Sequence, residues 1–253
     1  MKVEYIVMIV GAGGTGGNFA KEYARYASFF HKKGVSVKAV LIDGDHVEKK
    51  NEERQPFGDG DLEQNKAASL VSAIEDTFQK VDIKAYPHFI DDACQLEQVY
   101  KNLATYKYGD DKTMSIPVLV GCVDNHRARQ CMHTWFEKRE TIFYFDSANE
   151  FTDGEVVMGG RLGGKQVAPD RAFYYPDVLT DRSPSASELS CGMVNESSPQ
   201  HLATNLMAAN ILLSAVVSLV SENLFQGGIV YFDRKRFFSR FQPFEGRGLY
   251  EKE

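Results

Sequence analysis

Five glycines in the stretch MIVGAGGTGG, residues 8–17, are well suited to bind a phosphate. The spacing Gly11-x-Gly13-x-x-Gly16 follows an apolar run and precedes a segment of helical character. Glycines let a backbone approach a phosphate closely, and a helix N-terminus adds unpaired N–H groups. The pattern predicts a bound nucleotide and leaves NAD, FAD, S-adenosylmethionine and ATP open, while the absence of GxxxxGK[ST] disfavours a Walker-type P-loop.

A polar segment after the second apolar run carries groups that suit a triphosphate. Asp43 ends this run, where a carboxylate can hold the two ribose hydroxyls of a nucleotide. In an NAD enzyme the next helix usually follows the acidic residue directly, whereas here the polar sequence DGDHVEKKNEERQPF continues. Arg54 offers a planar fork for phosphate oxygens, and Lys66 offers a point charge. Asn51 can hydrogen-bond a ribose or phosphate without adding charge.

Alternating apolar runs and helical segments must position these residues. Strands are predicted at residues 3–10, 35–43, 81–86, 117–123 and 141–147. Helices are predicted at residues 16–33, 61–80, 91–105 and about 125–138. This β-α-β alternation predicts an α/β fold with a Rossmann-like, doubly wound and mostly parallel sheet.

The pattern changes after about residue 150. A strand with glycine interruptions is predicted at residues 155–164, and a loop-rich segment is predicted at residues 169–196. A long helix is predicted at about 199–223, and two short strands around a basic turn at 228–241. We therefore expect a C-terminal extension with antiparallel strands and a long helix. The chain is interpreted as one domain, 1–253, with a nucleotide-binding half at 1–150 and a second half at 151–253.

Composition excludes several classes of protein. The formal net charge of −6, with both signs interspersed, disfavours a nucleic-acid binder. Residues 202–220 carry no charge and are nearly long enough to span a bilayer, but scattered Asn, Thr and Ser favour a buried helix over a membrane span. The four cysteines form no CxxC pair, so neither a zinc ribbon nor a dense disulfide framework is expected. A reducing cytoplasm fits this cysteine usage.

In four motifs that occur in the same order, the chain resembles the ThiF/MoeB/HesA family, relatives of the ubiquitin-activating enzymes. The motifs are GAGGTGG, then D-x-D-x-V-x-x-x-N-x-x-R-Q, a lysine on the following helix, and C-V-D-N with a later arginine, Arg129. The motif residues expected at the nucleotide are Gly11, Gly13, Gly14, Gly16, Asp43, Asp45, Asn51, Arg54, Gln55, Lys66 and Asn125. The resemblance covers residues 1–150, and the ThiF-related proteins of plasmid cassettes that also encode a ParB-like protein are the subgroup it most resembles.

The resemblance implies a reaction. Enzymes of this family bind MgATP and adenylate the C-terminal carboxylate of a small β-grasp, ubiquitin-like protein, which gives an acyl-adenylate and pyrophosphate. By analogy, Asp43 holds the ribose, Arg54 and Lys66 offset charge on the triphosphate and the leaving pyrophosphate, and Asp124 coordinates Mg²⁺. Attacking carboxylate and phosphates are both anionic, so cations must screen them and hold them in line. A homodimer is implied because the arginine in the family often comes from the other subunit, and residues 151–253 would dock the substrate and dimerise.

A cysteine before the long predicted helix adds a second implied step. Some family members carry a cysteine here, followed by a spacer and a proline, and Cys191 and Pro199 match that layout. The family cysteine can take the activated carboxylate as a thioester or form an acyl-linked sulfur intermediate. An unreactive loop or buried cysteine is the alternative. Many ThiF and MoeB proteins also hold a structural zinc through two CxxC pairs, and their absence here means that no structural zinc is expected.

Two other functions stay open from the sequence. An NAD(P)- or FAD-dependent oxidoreductase would use the same glycine loop and Asp43, but it leaves Asn51, Arg54 and Lys66 without a role. A non-catalytic member that binds ATP or a partner as a scaffold is also consistent with the missing zinc motif.

Overall fold

Strands β1 to β9 organise the fold. A computed structural model describes residues 2–30, 34–104, 113–182 and 201–245. Within these residues the strands are β1 Lys2–Val10, β2 Ser36–Ile42, β3 Ile83–Tyr86, β4 Thr113–Gly121, β5 Ile142–Asn149, β6 Asp153–Leu162, β7 Lys165–Ala168, β8 Gly228–Asp233 and β9 Phe238–Pro243. They form one sheet in the order β3-β2-β1-β4-β5-β6-β8-β9, and β7 pairs with β6.

Helices cover both faces of this sheet. The α-helices of the described residues are α1 Gly14–Ala27, α2 Lys66–Thr77, α3 Ala93–Leu103, α4 His126–Lys138, α5 Arg171–Tyr174, α6 Asp177–Thr180 and α7 Leu202–Glu222. Two short 3-10 helices at Lys49–Asn51 and Asp59–Asp61 lie between β2 and α2.

Pairing within the sheet changes from parallel to antiparallel along its width. β3, β2, β1, β4 and β5 are parallel neighbours. β6 pairs antiparallel with β5, and β8 and β9 continue in the same way. The α/β fold with a mostly parallel, doubly wound sheet and an antiparallel C-terminal extension is therefore confirmed. The sheet continues across residue 150, and the division of work between the two halves stays a prediction.

Strand β1 shows why helices must cover both faces. Tyr5, Val7 and Ile9 pack on the face covered by α1, α2 and α7. Met8 lies on the other face, among side chains of α3 and α4. A parallel strand buried on both faces needs apolar residues at consecutive positions, so it reads in sequence as an unbroken apolar run rather than an alternating one.

The long helix α7 packs against α1 and against the sheet. Its buried side chains are Thr204, Asn205, Ala208, Ala209, Leu212, Val216, Leu219 and Val220. Among the helices described, it alone is long and apolar enough to cross a membrane by length and composition. Eight of its 21 residues are buried, on the side that packs against α1 and the sheet, so the buried helix expected from the sequence is found in part.

Two predicted helices are too long, for identifiable reasons. The helix predicted at 16–33 ends at Ala27, because the chain turns there and buries Phe30 against the rings of Tyr23 and Tyr26. The helix predicted at 61–80 begins only at Lys66. Glu63 has a φ of 64°, which is incompatible with a helix, and the Asn65 side chain caps the true start.

The C-terminal half contains elements that the sequence did not indicate. β7 was not predicted, and the segment predicted as loop-rich at 169–196 contains α5 and α6. Both helices have only four residues, too short for a periodic signal. The rest of that segment, from residue 183, lies outside the described residues.

A histidine–carboxylate contact ties α4 to the start of α5. His133 Nδ1 lies 2.7 Å from the Oδ2 atom of Asp170, which is buried directly before α5. This hydrogen bond raises the pKa of His133, against a smaller opposing effect of burial. The contact holds the start of α5, which carries Arg171, against α4.

The buried side chain of Leu212 is expected to account for much of the attachment of α7. Leu212→Ala should lower the free energy of unfolding by about 2–5 kcal/mol, because it leaves a cavity in the core. Leu206→Ala, on the same helix but 38% exposed, is the control and should cost less than about 1 kcal/mol. Urea unfolding measures both, and equal losses would contradict this packing.

His133 is expected to make stability depend on pH. Its pKa is raised in the folded state, so its contribution is complete below the unfolded value of about 6.5 and is lost as pH rises through the folded value. At about pH 5.5 the protein should exceed His133→Gln by about 1–2 kcal/mol of unfolding free energy, and by less at about pH 8.5. Asp170→Asn should remove the same pH dependence. A difference that grows with pH would show that the sign is wrong.

Candidate active site

A cavity of about 670 Å³ opens at the carboxyl ends of β1, β2, β4 and β5. Connections from β1 and β4 leave in opposite directions along the sheet, since β2 lies on one side of β1 and β5 on the far side of β4. Ligands of open α/β sheets bind at such a switch point. The cavity also has the volume typical of small-molecule sites.

The glycine loop forms one wall, and its shape requires glycine. Gly11 has a φ of 97°, in the left-handed region. A Cβ atom on Gly16 would collide with the carbonyl oxygen of Gly11 and would lie 2.9 Å from Cys122 Cβ. Gly13 caps α1 without a side-chain hydrogen bond, so backbone N–H groups of the first turn remain available to a ligand. The structure thus places Gly11, Gly13 and Gly14 in the cavity wall, with Gly16 packed behind them.

Asp43 connects the end of β2 to the glycine loop. Its Oδ2 atom accepts a hydrogen bond from the backbone N–H of Ala12 at 2.6 Å, and its Oδ1 atom accepts one from Asp45 at 2.8 Å. Desolvation raises the pKa of Asp43, while Lys66 and the two backbone donors act in the opposite direction. Asp43 lines the cavity, and its contact with a ribose stays a prediction.

The start of α2 presents Lys66 to the cavity. Asn65 caps this helix, and its Nδ2 atom donates to the carbonyl oxygens of Asp43 and Asp45 at 2.9 and 3.0 Å. Lys66 Nζ lies 3.0 Å from Asp45 Oδ2, and the lysine side chain is only 9% exposed. Lys66 and Asp45 therefore both reach the cavity as an ion pair that a phosphate can compete for.

Arg54 and Gln55 enter the cavity from the turn between β2 and α2. Within the described ranges, the Arg54 guanidinium has neither a hydrogen bond nor an ion pair. Asn51 lies outside the cavity lining and is buried, where its side chain accepts from the backbone of Glu48 at 2.9 Å. Its carbonyl oxygen accepts from the backbone N–H groups of Arg54 and Gln55. Asn51 shapes the turn that carries Arg54, and its contact with a nucleotide stays a prediction.

Asp124 and Asn125 follow β4 on the opposite side of the glycine loop. Asn125 caps α4 by accepting from the backbone N–H of Ala128 at 2.8 Å. Asp124 is exposed, and no cation of the described chain pairs with it. In these residues no group of three or more His, Cys, Asp or Glu could hold a metal ion alone. Mg²⁺ commonly uses one or two carboxylates plus substrate phosphates and waters, so a free Asp124 fits that type of site.

A buried charge cluster forms the floor of the cavity, and the sequence motifs pointed only to its Arg129. Asp146 Oδ2 accepts from Arg171 Nε at 2.9 Å and lies 3.5 Å from Arg129 Nε. Arg171 also donates to Glu155 Oε1 at 2.7 Å. Burial alone would lower the pKa of Arg171. The carboxylates of Asp146 and Glu155 outweigh this effect and raise the pKa above its ordinary value, so the guanidinium stays charged. A lone aspartate within the apolar strand sequence IFYFDSAN was a usable signal, because a buried charge needs a partner.

One part of the wall is apolar. Ile42, Phe89, Ile90 and Val123 line the cavity at or just after the ends of β2, β3 and β4. A nucleobase has two apolar faces and hydrogen-bonding edges, and this wall offers it contact area next to Asp43.

Comparison with known proteins identifies the family. The model of the ThiF family matches residues 3–241. This chain belongs to the ThiF family. The match confirms the resemblance drawn from the four sequence motifs and extends it beyond residue 150. No curated protein matches the chain.

Solved structures similar to this ThiF-family chain share its fold. PaaA is 18% identical, with a TM-score of 0.64 over 95% of this chain and 64% of PaaA. E. coli MccB with ATP is 15% identical, with a TM-score of 0.63 over 94% of this chain and 63% of MccB. MccB with AMPCPP and MccA is 14% identical, with a TM-score of 0.61 and the same coverage. The chain therefore spans slightly less than two thirds of the length of these structures.

Of the two cysteines considered near the site, the structure describes Cys122 but not Cys191. Cys191 lies outside the described residues, so its role stays a prediction. Cys122 lines the cavity, where burial raises its pKa to about 12. Cys122 is therefore a neutral thiol near neutral pH and a poor nucleophile.

Gly16 is expected to tolerate no side chain. Gly16→Ala should lower the free energy of unfolding by at least about 1–3 kcal/mol, because the added Cβ meets the backbone of Gly11. Gly60→Ala is the matched control, since nothing lies within 4 Å of a Cβ there. It should change stability by less than about 0.5 kcal/mol. Thermal and urea unfolding test both, and a neutral Gly16→Ala would contradict the close approach.

Proposed function

We propose that this ThiF-family chain catalyses ATP-dependent adenylation of a carboxylate. The observation that carries the proposal is the arrangement of charge around the glycine loop. Arg54 reaches the cavity without a partner in the described structure, and Lys66 and the free carboxylate of Asp124 line the same cavity. Cations and a carboxylate at a helix N-terminus suit a magnesium–triphosphate complex. MccB, which shares the fold, has been crystallised with ATP.

Each part of ATP has a matching wall. The base would lie against Phe89, Ile42 and Val123, which line the cavity, and the ribose would lie near Asp43. The phosphates meet the first turn of α1. This placement gives Arg54 and Lys66 a role at the phosphates, whereas an NAD(P)- or FAD-binding function would leave them without one.

The reaction joins two anions. An oxygen of the substrate carboxylate bonds to the α-phosphorus of ATP, the bond from that phosphorus to the pyrophosphate breaks, and acyl-adenylate and pyrophosphate form. Arg54 and Lys66 offset the charge that grows on the departing pyrophosphate, and they cost no reorganisation if the protein already holds them in place. Asp124 would hold Mg²⁺, which neutralises phosphate charge when bound.

The substrate carboxylate is proposed to be the C terminus of a small β-grasp, ubiquitin-like protein. The family resemblance supports this carrier, and the MccA present in the MccB structures supports a peptide or protein carboxylate more broadly. Transfer to Cys191 as a thioester, a homodimer and a cytoplasmic location are parts of the same proposal. They rest on the resemblance and on cysteine usage.

Nucleotide preference is the first test. MgATP at ~100 times its dissociation constant should add about 2.7 kcal/mol to the folded state and raise Tm by roughly 5–10 °C. NAD⁺ and FAD should give no shift. Arg54→Ala and Asp124→Ala should each reduce the MgATP shift, because each removes a charge that faces the phosphates. Arg25→Ala, on an exposed pair in the last turn of α1, is the control and should keep the full shift.

The outcomes separate the three functions. Stabilisation by NAD⁺ or FAD alone would replace adenylation with an oxidoreductase function. Stabilisation by MgATP without pyrophosphate exchange in the presence of any β-grasp protein or peptide carboxylate would favour a scaffold. Exchange that is undiminished in Arg54→Ala and Asp124→Ala would contradict the roles given to these residues.

A further inference from the structure

We propose that Asn205 is a positioning residue for the phosphate-binding end of α1, and that it acts through Asn149 and Thr15. The inference rests on the proposed function, since it assumes that α1 receives the phosphates of ATP. It assigns a role in nucleotide binding to α7, a helix outside the sequence motifs of the site.

Three side chains form a continuous hydrogen-bonded line from α7 to the cavity. Asn205 Oδ1 accepts from Asn149 Nδ2 at 2.8 Å. Asn149 Oδ1 in turn accepts from Thr15 Oγ1 at 3.1 Å. Thr15 is in the first turn of α1, and both Thr15 and Asn149 line the cavity. Asn205 itself does not line the cavity and is joined to it by these two hydrogen bonds.

The same asparagine also packs against the glycine loop. A Cβ atom on Gly14 would collide with Asn205 Nδ2 and lie 2.8 Å from its Cγ atom. The backbone oxygen of Arg54 lies 3.1 Å from that position. The Asn205 amide therefore occupies the space that a side chain at position 14 would need. It fixes the first residue of α1 between α7 and the turn that carries Arg54.

Burial of Asn205 without full hydrogen bonding argues against a purely structural role. The residue is 0% exposed, and its Nδ2 atom has no hydrogen-bond partner among the residues described. A buried N–H left unpaired costs free energy, which an apolar residue at this position would avoid. The amide instead holds Asn149 and approaches Gly14, both of which line the cavity.

Loss of this line should act on nucleotide affinity. The hydroxyl of Thr15 sets the orientation of the first turn of α1, whose N–H groups bind phosphate only if they point at it. A variant without the Asn205 amide should therefore bind MgATP more weakly, while the charges of Arg54 and Lys66 stay in place. Because Thr15 and Asn205 act through one line, their effects should not add.

A double-mutant cycle with Thr15→Val and Asn205→Ala tests the proposal. We measure the dissociation constant for MgATP by calorimetric titration and the stability of the free protein by urea unfolding. Each single variant should raise the dissociation constant for MgATP roughly tenfold. The double variant should have a dissociation constant no higher than the higher of the two single-variant values. If Asn205→Ala does not fold, Asn205→Ser replaces it, since its short hydroxyl does not reach Asn149.

Thr204→Val is the matched control. Thr204 is equally buried and adjacent, but its hydroxyl bonds the backbone oxygen of Phe151 at 2.8 Å and not the glycine loop. This variant should lose stability and keep its affinity for MgATP. Additive losses of affinity, or an affinity of Asn205→Ala equal to that of Thr204→Val, would overturn the role of Asn205.

The design distinguishes this failure from a failure of the proposed function. Weaker binding in Arg54→Ala with unchanged binding in Asn205→Ala would overturn only the inference about Asn205. A wild-type protein that does not bind MgATP would overturn both.

Discussion

Close approach of three backbone segments at the glycine loop is the constraint on which the rest of the structure depends. Gly16 lets α1 start directly against the carbonyl of Gly11, and Gly14 leaves room for Asn205 of α7. Asp43 completes the arrangement because it accepts a hydrogen bond from Ala12. A side chain at either glycine would move α1, and with it the helix N-terminus that faces the cavity. Packing and ligand geometry are therefore set by the same two missing Cβ atoms.

Charge in the cavity is divided between groups that are already paired and groups that are free. Arg171 is neutralised by Asp146 and Glu155, so it supports the floor and is poorly placed to bind an added anion. Arg54 has no such partner in the described part of the chain, and Lys66 has only the half-exposed Asp45. A triphosphate therefore meets the least compensated cations on the side of α1. This division explains why Arg54 and Lys66, rather than the buried Arg171, carry the proposed chemistry.

The fold and much of the site could be predicted from sequence, and the failures have physical causes. The glycine spacing and the apolar runs located β1, β2 and α1, because local sterics and two-sided burial leave direct patterns. The predicted contact of Asn51 with the nucleotide stays a prediction, and the structure adds that Asn51 shapes the turn that carries Arg54 and Gln55. Arg171 and Asn205 were missed because each reaches the site by tertiary contacts of segments without a local motif. Their partners, Asp146 and Asn149, lie more than 20 residues away in sequence.

Helix α7 combines an uncharged sequence with buried polar side chains. Its lack of charge suits a bilayer by composition, while one side of the helix packs against α1, β5, β6 and β8. Such an environment accepts polar groups only when they are bonded, and Thr204 meets this condition through Phe151. Asn205 meets it only in part, and its unpaired amide nitrogen lies against Gly14 of α1, which has no side chain to exclude it. This unsatisfied nitrogen therefore lies where the C-terminal half touches the glycine loop.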